Sequence, residues 1–394
     1  MDDEPDEGRP LCILTESPTQ GIWTHLSVWQ SHNVAERHIR DRARQLNAHP
    51  NESLIETKAT ALAYCIRTAR EYLHETEGQP TSGVVARYYG CLWLPSAILV
   101  SDPTNDVTLE RLERFTTFGH GLASVINQDA AFPDNEFIFL KPSGFFRHFL
   151  AGTGLTKEQI NSMVIPQRVD DFSSVDESNK PKLITLVELF ARIPELKQIF
   201  EYVTEKPALC FRIGHFSLNQ SENFDDATKS AKPGYPPPFP QRIRPYTWLW
   251  LPDSLAYDEA HIVSFGPPLQ EMQIREHVLA KGWSGKLPHP VGARWYDHID
   301  TYRTTISGNT WVRPIMAIKS VFPMHLMLLY ILSILARYRP AIWREILEGK
   351  QDQYSALIDA YLAIFDRVGP ELALRLILGR PVAIITPGSL FAPA

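Results

Sequence analysis

Two segments of the sequence are apolar on nearly every side, and they constrain the fold more than any other feature. They are VVARYYGCLWLPSAILV at 84–100 and MHLMLLYILSILA at 324–336. A helix that is apolar all round must be buried against neighbours on every face or lie in a membrane. The second run has 13 residues, fewer than the roughly 20 that span a bilayer. We therefore expect two core helices that pack against each other, and no membrane span.

The remaining sequence predicts helical ends around a mixed centre. Residues 20–128 and 313–394 carry apolar residues at helical spacing, bounded by polar caps, prolines and glycines. Within the first range, VTLERLERFTTFGHGLASVI at 107–126 predicts one short helix. Residues 129–312 contain short aromatic and β-branched runs, such as AHIVSF at 260–265, that are typical of strands. We predict a mainly α-helical fold with a central α+β portion, in which the C-terminal helices pack on the N-terminal helices.

Two segments show no regular pattern. The leader at 1–19 begins MDDEPDEGRP, which is acidic and lacks the apolar stretch of a signal peptide, so we expect disorder there and a cytoplasmic location. The stretch SAKPGYPPPFPQ at 230–241 is a proline-rich loop.

Composition and missing motifs exclude several classes of protein. A formal net charge of −6 argues against a dedicated non-specific nucleic-acid binder, although a local basic groove remains possible. The four cysteines form no CxxC pair, which disfavours a cysteine-based zinc site. The patterns GxSxG, GxxxxGK[ST], HExxH and GxGxxG are absent. We predict neither a metal nor a cofactor.

The stretch RFTTFGHGLAS at 114–124 holds the best candidate for catalysis. Arg114 and His120 are separated by five residues. In metal-independent RNA cleavage, a histidine moves a proton and an arginine stabilises the charge on phosphorus. The alternative is structural: Gly119 and Gly121 flank His120 because a helix ends there, and Arg114 is an ordinary surface residue.

Other histidines offer weaker candidates. His298 lies between Asp297 and Asp300, but a metal site would need further ligands, so a solvated turn is the preferred interpretation. His215 in RIGHFS lies on a predicted strand and could act as an acid or base. A lone histidine on a strand is more often structural.

Several patches resemble the YaaC-like family of bacterial proteins. The C-terminal signature is an apolar helix ending in S-x-L-x-RY and followed by a tryptophan, here Ser333, Leu335, Arg337, Tyr338 and Trp343. Four more patches follow the family order: RYYGCLWLPSAILV, HGLAS, SGFFRHF and LVELFARIPEL. The candidate binding residues, Arg87, Tyr88, Arg337, Tyr338 and Trp343, lie in these patches. For Arg337 and Tyr338 the alternative is structural, since a cation suits the C-terminal end of a helix.

The tyrosine-rich helix followed by a histidine is also similar to HEPN domains, which are helical bundles that often dimerise. Many HEPN domains are RNases with an arginine and a histidine at the spacing of Arg114 and His120. The resemblance thus implies a HEPN-like bundle formed by the N- and C-terminal helices.

Three functions follow from these observations. The first is an interaction or effector subunit of a bacterial defence or stress system, acting through a protein partner or a homodimer. The second is a HEPN-type endoribonuclease that uses Arg114 and His120 on RNA. The third is a small-molecule sensor that uses the aromatic-rich middle of the chain, although no specific motif indicates it.

Overall fold

The computed structural model describes residues 10–74, 80–216, 246–252, 254, 257–265, 275–277, 282–288 and 301–387. The chain divides into two compact units, one of residues 1–206 with 315–394 and one of residues 207–314. The second unit is smaller than the predicted insertion at 129–312. Residues 129–206 belong to the helical unit instead.

Helices dominate the fold, as the sequence predicts. They are α1 (Pro18–Ser27), α2 (His32–Gln45), α3 (Glu52–His74), α4 (Pro80–Ser101), α5 (Leu109–Thr117), α6 (Phe145–Gly152), α7 (Lys157–Met163), α8 (Leu186–Phe190), α9 (Lys197–Thr204), α10 (Glu259–Val263), α11 (Val321–Tyr338), α12 (Pro340–Glu348) and α13 (Gln353–Leu378). Short 3-10 turns occur at Val28–Gln30, Phe172–Ser174, Lys180–Lys182 and Pro194–Leu196. Only α10 lies in the smaller unit, among the helices that the structure describes.

The strands form small sheets. They are β1 (Leu11–Leu14), β2 (Leu122–Ile126), β3 (Glu136–Leu140), β4 (Ile184–Thr185), β5 (Cys210–Arg212), β6 (Gly214–Phe216), β7 (Tyr246–Leu251), β8 (Arg275–His277), β9 (Gly282–Pro288), β10 (Thr310–Val312) and β11 (Val382–Ile385). In the larger unit β2, β3 and β4 form one antiparallel sheet, and β1 pairs with β11 in parallel. In the smaller unit β5 pairs with β10, and four antiparallel strands lie in the order β6-β7-β9-β8. The fold is therefore mainly α with α+β content.

Helix α4 lies at the centre of the larger unit and contacts α3, α11 and α13. Its buried residues, including Val84, Tyr88, Cys91 and Leu94, face in several directions, and α11 is likewise buried along most of its length. The two apolar segments therefore pack against each other, as expected. Helices without a polar face can hide their apolar surface in this way without a membrane.

Both central helices are nevertheless long and apolar enough to cross a membrane by length and composition alone. Helix α11 begins before and ends after the apolar run at 324–336, so it is longer than the sequence predicted. In the structure 72% of the apolar window of each helix is buried inside the protein. The location of the protein stays a prediction.

Three local predictions need correction. Residues 11–14 form β1 and not a disordered leader, because their apolar side chains pair in register with Val382–Ile385. The segment AHIVSF is not a strand: α10 covers Glu259–Val263, since the Asp258 carboxylate accepts a hydrogen bond from His261 N at 2.7 Å. The helix predicted to run from 107 through 126 ends at Thr117, and the sequence LASVI that follows forms β2.

Candidate functional site

Arg114 and His120 have different surroundings. Arg114 lies in the last turn of α5 and is exposed. Its charge lowers the pKa of Glu110, after the hydrogen bonds that this carboxylate accepts. The pKa of His120 is lowered by burial and then by the charge of Arg337. The cation that acts on His120 is therefore Arg337 on α11, and the structure gives Arg114 no corresponding influence.

The loop between α5 and β2 holds His120 in a defined position. Gly119 and Gly121 both have a φ of +81°, which L side chains rarely adopt. The carbonyl oxygens of Gly119 and His120 accept hydrogen bonds from the backbone nitrogens of Phe145 and Phe146, at 3.1 and 2.9 Å. These two donors belong to the first turn of α6, where backbone N–H groups have no partner within the helix. Backbone hydrogen bonds thus join the segments FGHG and SGFF, and they fix the position of His120.

We expect Gly144→Ala to lower the free energy of unfolding by about 3 kcal/mol or more and to displace His120. Gly144 has φ 108° and ψ 174°, a region that is essentially restricted to glycine and costs other residues about 1–3 kcal/mol. An added Cβ would also lie 2.3 Å from Gly121 N and 2.6 Å from Gly119 O. Urea unfolding measures the loss.

Gly154→Ala is the matched control. Gly154 also has a positive φ, of +91°, but a Cβ there would meet nothing within 4 Å. In this variant the free energy of unfolding should fall only by the cost of a positive φ at a residue with a Cβ, about 1 kcal/mol. Equal losses in the two variants would contradict the packing of Gly144 on the His120 loop.

His120 belongs to a cluster of side chains that also includes Tyr88, Tyr330 and Arg337. The Tyr88 ring is fully buried and makes edge contacts with His120, at 5.4 Å between ring centroids, and with Tyr330, at 5.7 Å. Tyr88 Oη and His120 Nδ1 are both buried, and neither makes a hydrogen bond with any residue that the structure describes. Buried polar atoms without partners are rare, because each costs about 1–3 kcal/mol. Two of them on rings in contact make this cluster the candidate binding site.

Arg337 supplies the positive charge of this cluster. Its guanidinium donates to Ser333 O and Ser333 Oγ, both at 3.1 Å, and lies 3.5 Å from Tyr89 Oη. Within the part of the chain that the structure describes, Arg337 has no carboxylate partner. Burial raises the pKa of Tyr88 and Tyr330, and the charge of Arg337 opposes that rise in both. At neutral pH the cluster therefore combines neutral tyrosine hydroxyls, a neutral histidine and one guanidinium cation.

A groove adjoins this cluster. It has a volume of about 780 Å³ and is lined by Tyr72, Pro80, Thr81, Ser82, Val85, Ala86 and Tyr89. Tyr89 belongs to both the groove and the cluster, since its hydroxyl lies near Arg337. The rings of Tyr72 and Tyr89 lie 5.6 Å apart at 30°.

The structure also gives the contacts of the other predicted binding residues, Arg87, Trp343 and Tyr338, whose binding role stays a prediction. Arg87 makes a two-pronged ion pair with Asp366 on α13, with Nε–Oδ1 at 2.8 Å and Nη2–Oδ2 at 2.6 Å. Trp343 is buried, and its Nε1 donates to Thr81 Oγ1 at 2.8 Å, which ties α12 to the first turn of α4. Tyr338 is 67% exposed, and the Arg337 guanidinium lies 5.0 Å from its ring centroid.

Sequence reasoning missed Tyr72, Tyr89 and Tyr330 as site residues, and it identified Ser333 only as part of the family signature. Ser333 and Tyr330 precede Arg337 by four and seven residues, a spacing that puts all three on one face of a helix. That spacing could have identified both. Nothing in the sequence indicates that Tyr72 on α3 lies beside Tyr89 on α4.

The described residues contain no group of three or more metal-binding side chains. The predicted candidates Asp297, His298 and Asp300 lie outside the described residues. His215 is on β6, as predicted for a strand residue, but its side chain also lies outside the described part.

The family model of the YaaC-like proteins matches residues 27–377, which is most of the chain. The chain belongs to the YaaC-like family. No curated protein and no solved structure matches it significantly. The matched range includes every residue of the cluster and groove described above. The similarity to HEPN domains stays a prediction.

Proposed function

We propose that this YaaC-like protein is a sensor that binds a small phosphate-bearing ligand in the cluster of Arg337, His120 and Tyr88. The observation that carries the proposal is the pair of buried, unpartnered atoms, Tyr88 Oη and His120 Nδ1, on two rings in contact. The charge of the Arg337 guanidinium acts on both of these side chains. A hydroxyl, a ring N–H and an arginine fork are all donors. A tetrahedral phosphate has enough acceptor oxygens for all three.

Arg337→Gln tests the proposal by calorimetric titration with inorganic phosphate. Loss of a hydrogen-bonded charge is worth about 1.5–3 kcal/mol, so the affinity should fall about 10- to 150-fold. Arg344→Gln is the control, because Arg344 is exposed and pairs with Glu345. A wild-type protein that binds no phosphate, or variants that bind it equally well, would refute the site.

We expect Tyr88→Phe to raise the stability of the ligand-free protein by about 1 kcal/mol while weakening phosphate binding. The variant removes a buried hydroxyl that has no partner, and so removes its desolvation cost. Tyr361→Phe is the matched control, because Tyr361 is equally buried and its hydroxyl donates to His325 O at 3.3 Å. Thermal unfolding should move in opposite directions for the two variants. A destabilised Tyr88→Phe protein would show that the hydroxyl has a structural role.

A metal-independent endoribonuclease is the second candidate. It is supported by His120, whose lowered pKa allows it to act as a base at neutral pH. The charge of Arg337 contributes to that lowering. In this mechanism Arg337 takes the role that the sequence analysis assigned to Arg114. Total RNA incubated with protein and EDTA should then be cleaved by wild type and Arg114→Ala, but not by His120→Ala or Arg337→Gln. Cleavage that depends on Arg114 would restore the original pair, and cleavage by no protein would contradict a self-sufficient nuclease.

We further propose that the protein is a cytoplasmic effector in a defence or stress system and that ligand binding activates it. The activated protein would act on a protein partner or on a second copy of the chain. The cluster joins α4, α11 and the loop before β2, so a bound anion would link three elements of the larger unit. The exposed Tyr338 flanks it and offers a surface that the ligand can influence. Sedimentation of the purified protein with and without phosphate tests self-association. An unchanged sedimentation coefficient would contradict ligand-controlled dimerisation.

A further inference from the structure

The groove beside Arg337 has the size and lining of a site for an organic ligand. Ligand pockets are commonly about 300–1,000 Å³ and mostly apolar with a few polar groups, and this groove has about 780 Å³. Val85 and Ala86 contribute small apolar side chains, while Thr81 and Ser82 contribute hydroxyls. None of its lining residues is acidic. The groove is therefore suited to a flat, largely apolar group attached to an anion.

Two tyrosines provide an aromatic wall. The Tyr72 ring is 39% exposed, so a ligand can reach it, and it lies next to the Tyr89 ring on α4. Aromatic side chains stack on nucleobases, and this stacking is tolerant of base identity. The hydroxyl at the end of the Tyr89 ring lies 3.5 Å from Arg337 Nη1. One side chain thus connects the aromatic wall to the cation.

We propose that the ligand is a nucleoside monophosphate, with its base against Tyr72 and Tyr89 and its phosphate at Arg337, His120 and Tyr88. This inference rests on the proposed phosphate site. The groove favours a nucleotide over free phosphate, because phosphate alone would leave the aromatic wall unused. The position of Arg337 favours a nucleotide over a purely apolar ligand, because a purely apolar ligand has no anionic group to pair with the guanidinium.

The test compares AMP, ribose 5-phosphate and inorganic phosphate by calorimetric titration of the full chain. Base stacking is worth about 1–3 kcal/mol per base, so AMP should bind about 5- to 150-fold more tightly than ribose 5-phosphate. Tyr72→Leu should remove most of this difference and leave the affinity for inorganic phosphate unchanged. Arg337→Gln should weaken all three ligands.

Tyr64→Leu is the matched control. Tyr64 lies on α3 two turns before Tyr72, is 45% exposed, and also makes one aromatic contact, with Trp93 at 5.4 Å. It does not line the groove, so this variant should keep the preference for AMP. Tyr89→Phe keeps the stacking ring and removes the hydroxyl, so it should also keep the preference.

The outcomes separate the two proposals. Equal affinities of AMP and ribose 5-phosphate, with both lost in Arg337→Gln, would overturn the nucleotide and leave the phosphate site standing. Equal loss of the AMP preference in Tyr72→Leu and Tyr64→Leu would overturn the groove as the base site. A wild-type protein that binds none of the three ligands would overturn the phosphate site together with the nucleotide.

Discussion

Arg87→Met should lower the free energy of unfolding by about 3–5 kcal/mol. The Arg87 side chain is 9% exposed and makes its ion pair with Asp366 between α4 and α13. Removing the guanidinium takes away the two hydrogen bonds that it donates to the Asp366 carboxylate, which is 30% exposed and so partly desolvated. A broken buried pair costs far more than the pair contributed, because the remaining charge has lost water as well as its partner. Chemical denaturation monitored by circular dichroism measures the loss.

Arg40→Met is the control for this experiment. Arg40 also pairs with two carboxylates, those of Glu36 and Glu52, but it lies on the surface. Exposed ion pairs contribute little, so stability should change only slightly. The double variant Arg87→Met, Asp366→Leu should recover part of the loss, since both charges are then absent. A loss of phosphate binding in folded Arg87→Met, with unchanged stability, would contradict the structural role and support the binding role that the sequence suggested.

Lys58→Met should be at least as damaging, with a loss of about 4 kcal/mol or more. The side chain is fully buried, and its Nζ donates to Asp102 O and Asn105 Oδ1, both at 2.9 Å. Two further acceptors are Val107 O at 3.2 Å and Val100 O at 3.3 Å. Burial lowers the pKa of Lys58 to about 8, so the ammonium remains charged at neutral pH. Asn105 Oδ1 also accepts from Val107 N at 2.8 Å, so the loss falls mainly on the three backbone carbonyls. Each buried acceptor left without a donor costs about 1–3 kcal/mol.

The location of these acceptors explains why the loss should be large. Val100 is in the last turn of α4, where carbonyl groups have no partner within the helix. Lys58 on α3 donates to that carbonyl and to acceptors in the loop between α4 and α5. It therefore caps the C-terminal end of α4 and fixes the loop that leads to α5. Lys180→Met removes a lysine from an exposed pair with Glu177 and should change stability little. A Lys58→Met protein that unfolds at the wild-type urea midpoint would contradict this role.

The core was the most predictable part of the fold. A helix with no polar face must be covered on every side, and few elements can cover it. The contact between the segments at 84–100 and 324–336 could therefore be predicted from their apolar character alone. The error at 107–126 has an equally local cause. The apolar spacing of LASVI suits a helix, but two glycines with positive φ redirect the chain before it, and β3 supplies the hydrogen bonds of a strand.

The site was only partly predictable. His120, Tyr88 and Arg337 were each identified from the sequence, in separate patches and for separate reasons. The sequence placed His120 with Arg114, because only residues close along the chain can be related by spacing. The structure relates it instead to Arg337, more than two hundred residues later, because α11 packs on α4 beside the loop that carries His120.

By itself, the sequence determined the helical character, the two core helices and the patches that place the chain in its family. These properties depend on the order of apolar and polar residues and on caps within a few positions. Tertiary structure alone decided which cation lowers the pKa of His120, that Tyr88 Oη has no partner among the described residues, and that Arg87 pairs with Asp366. Those facts depend on the distances between side chains from different helices. Such distances arise only when the helices pack, since the packing determines which polar groups lose water and which find a partner.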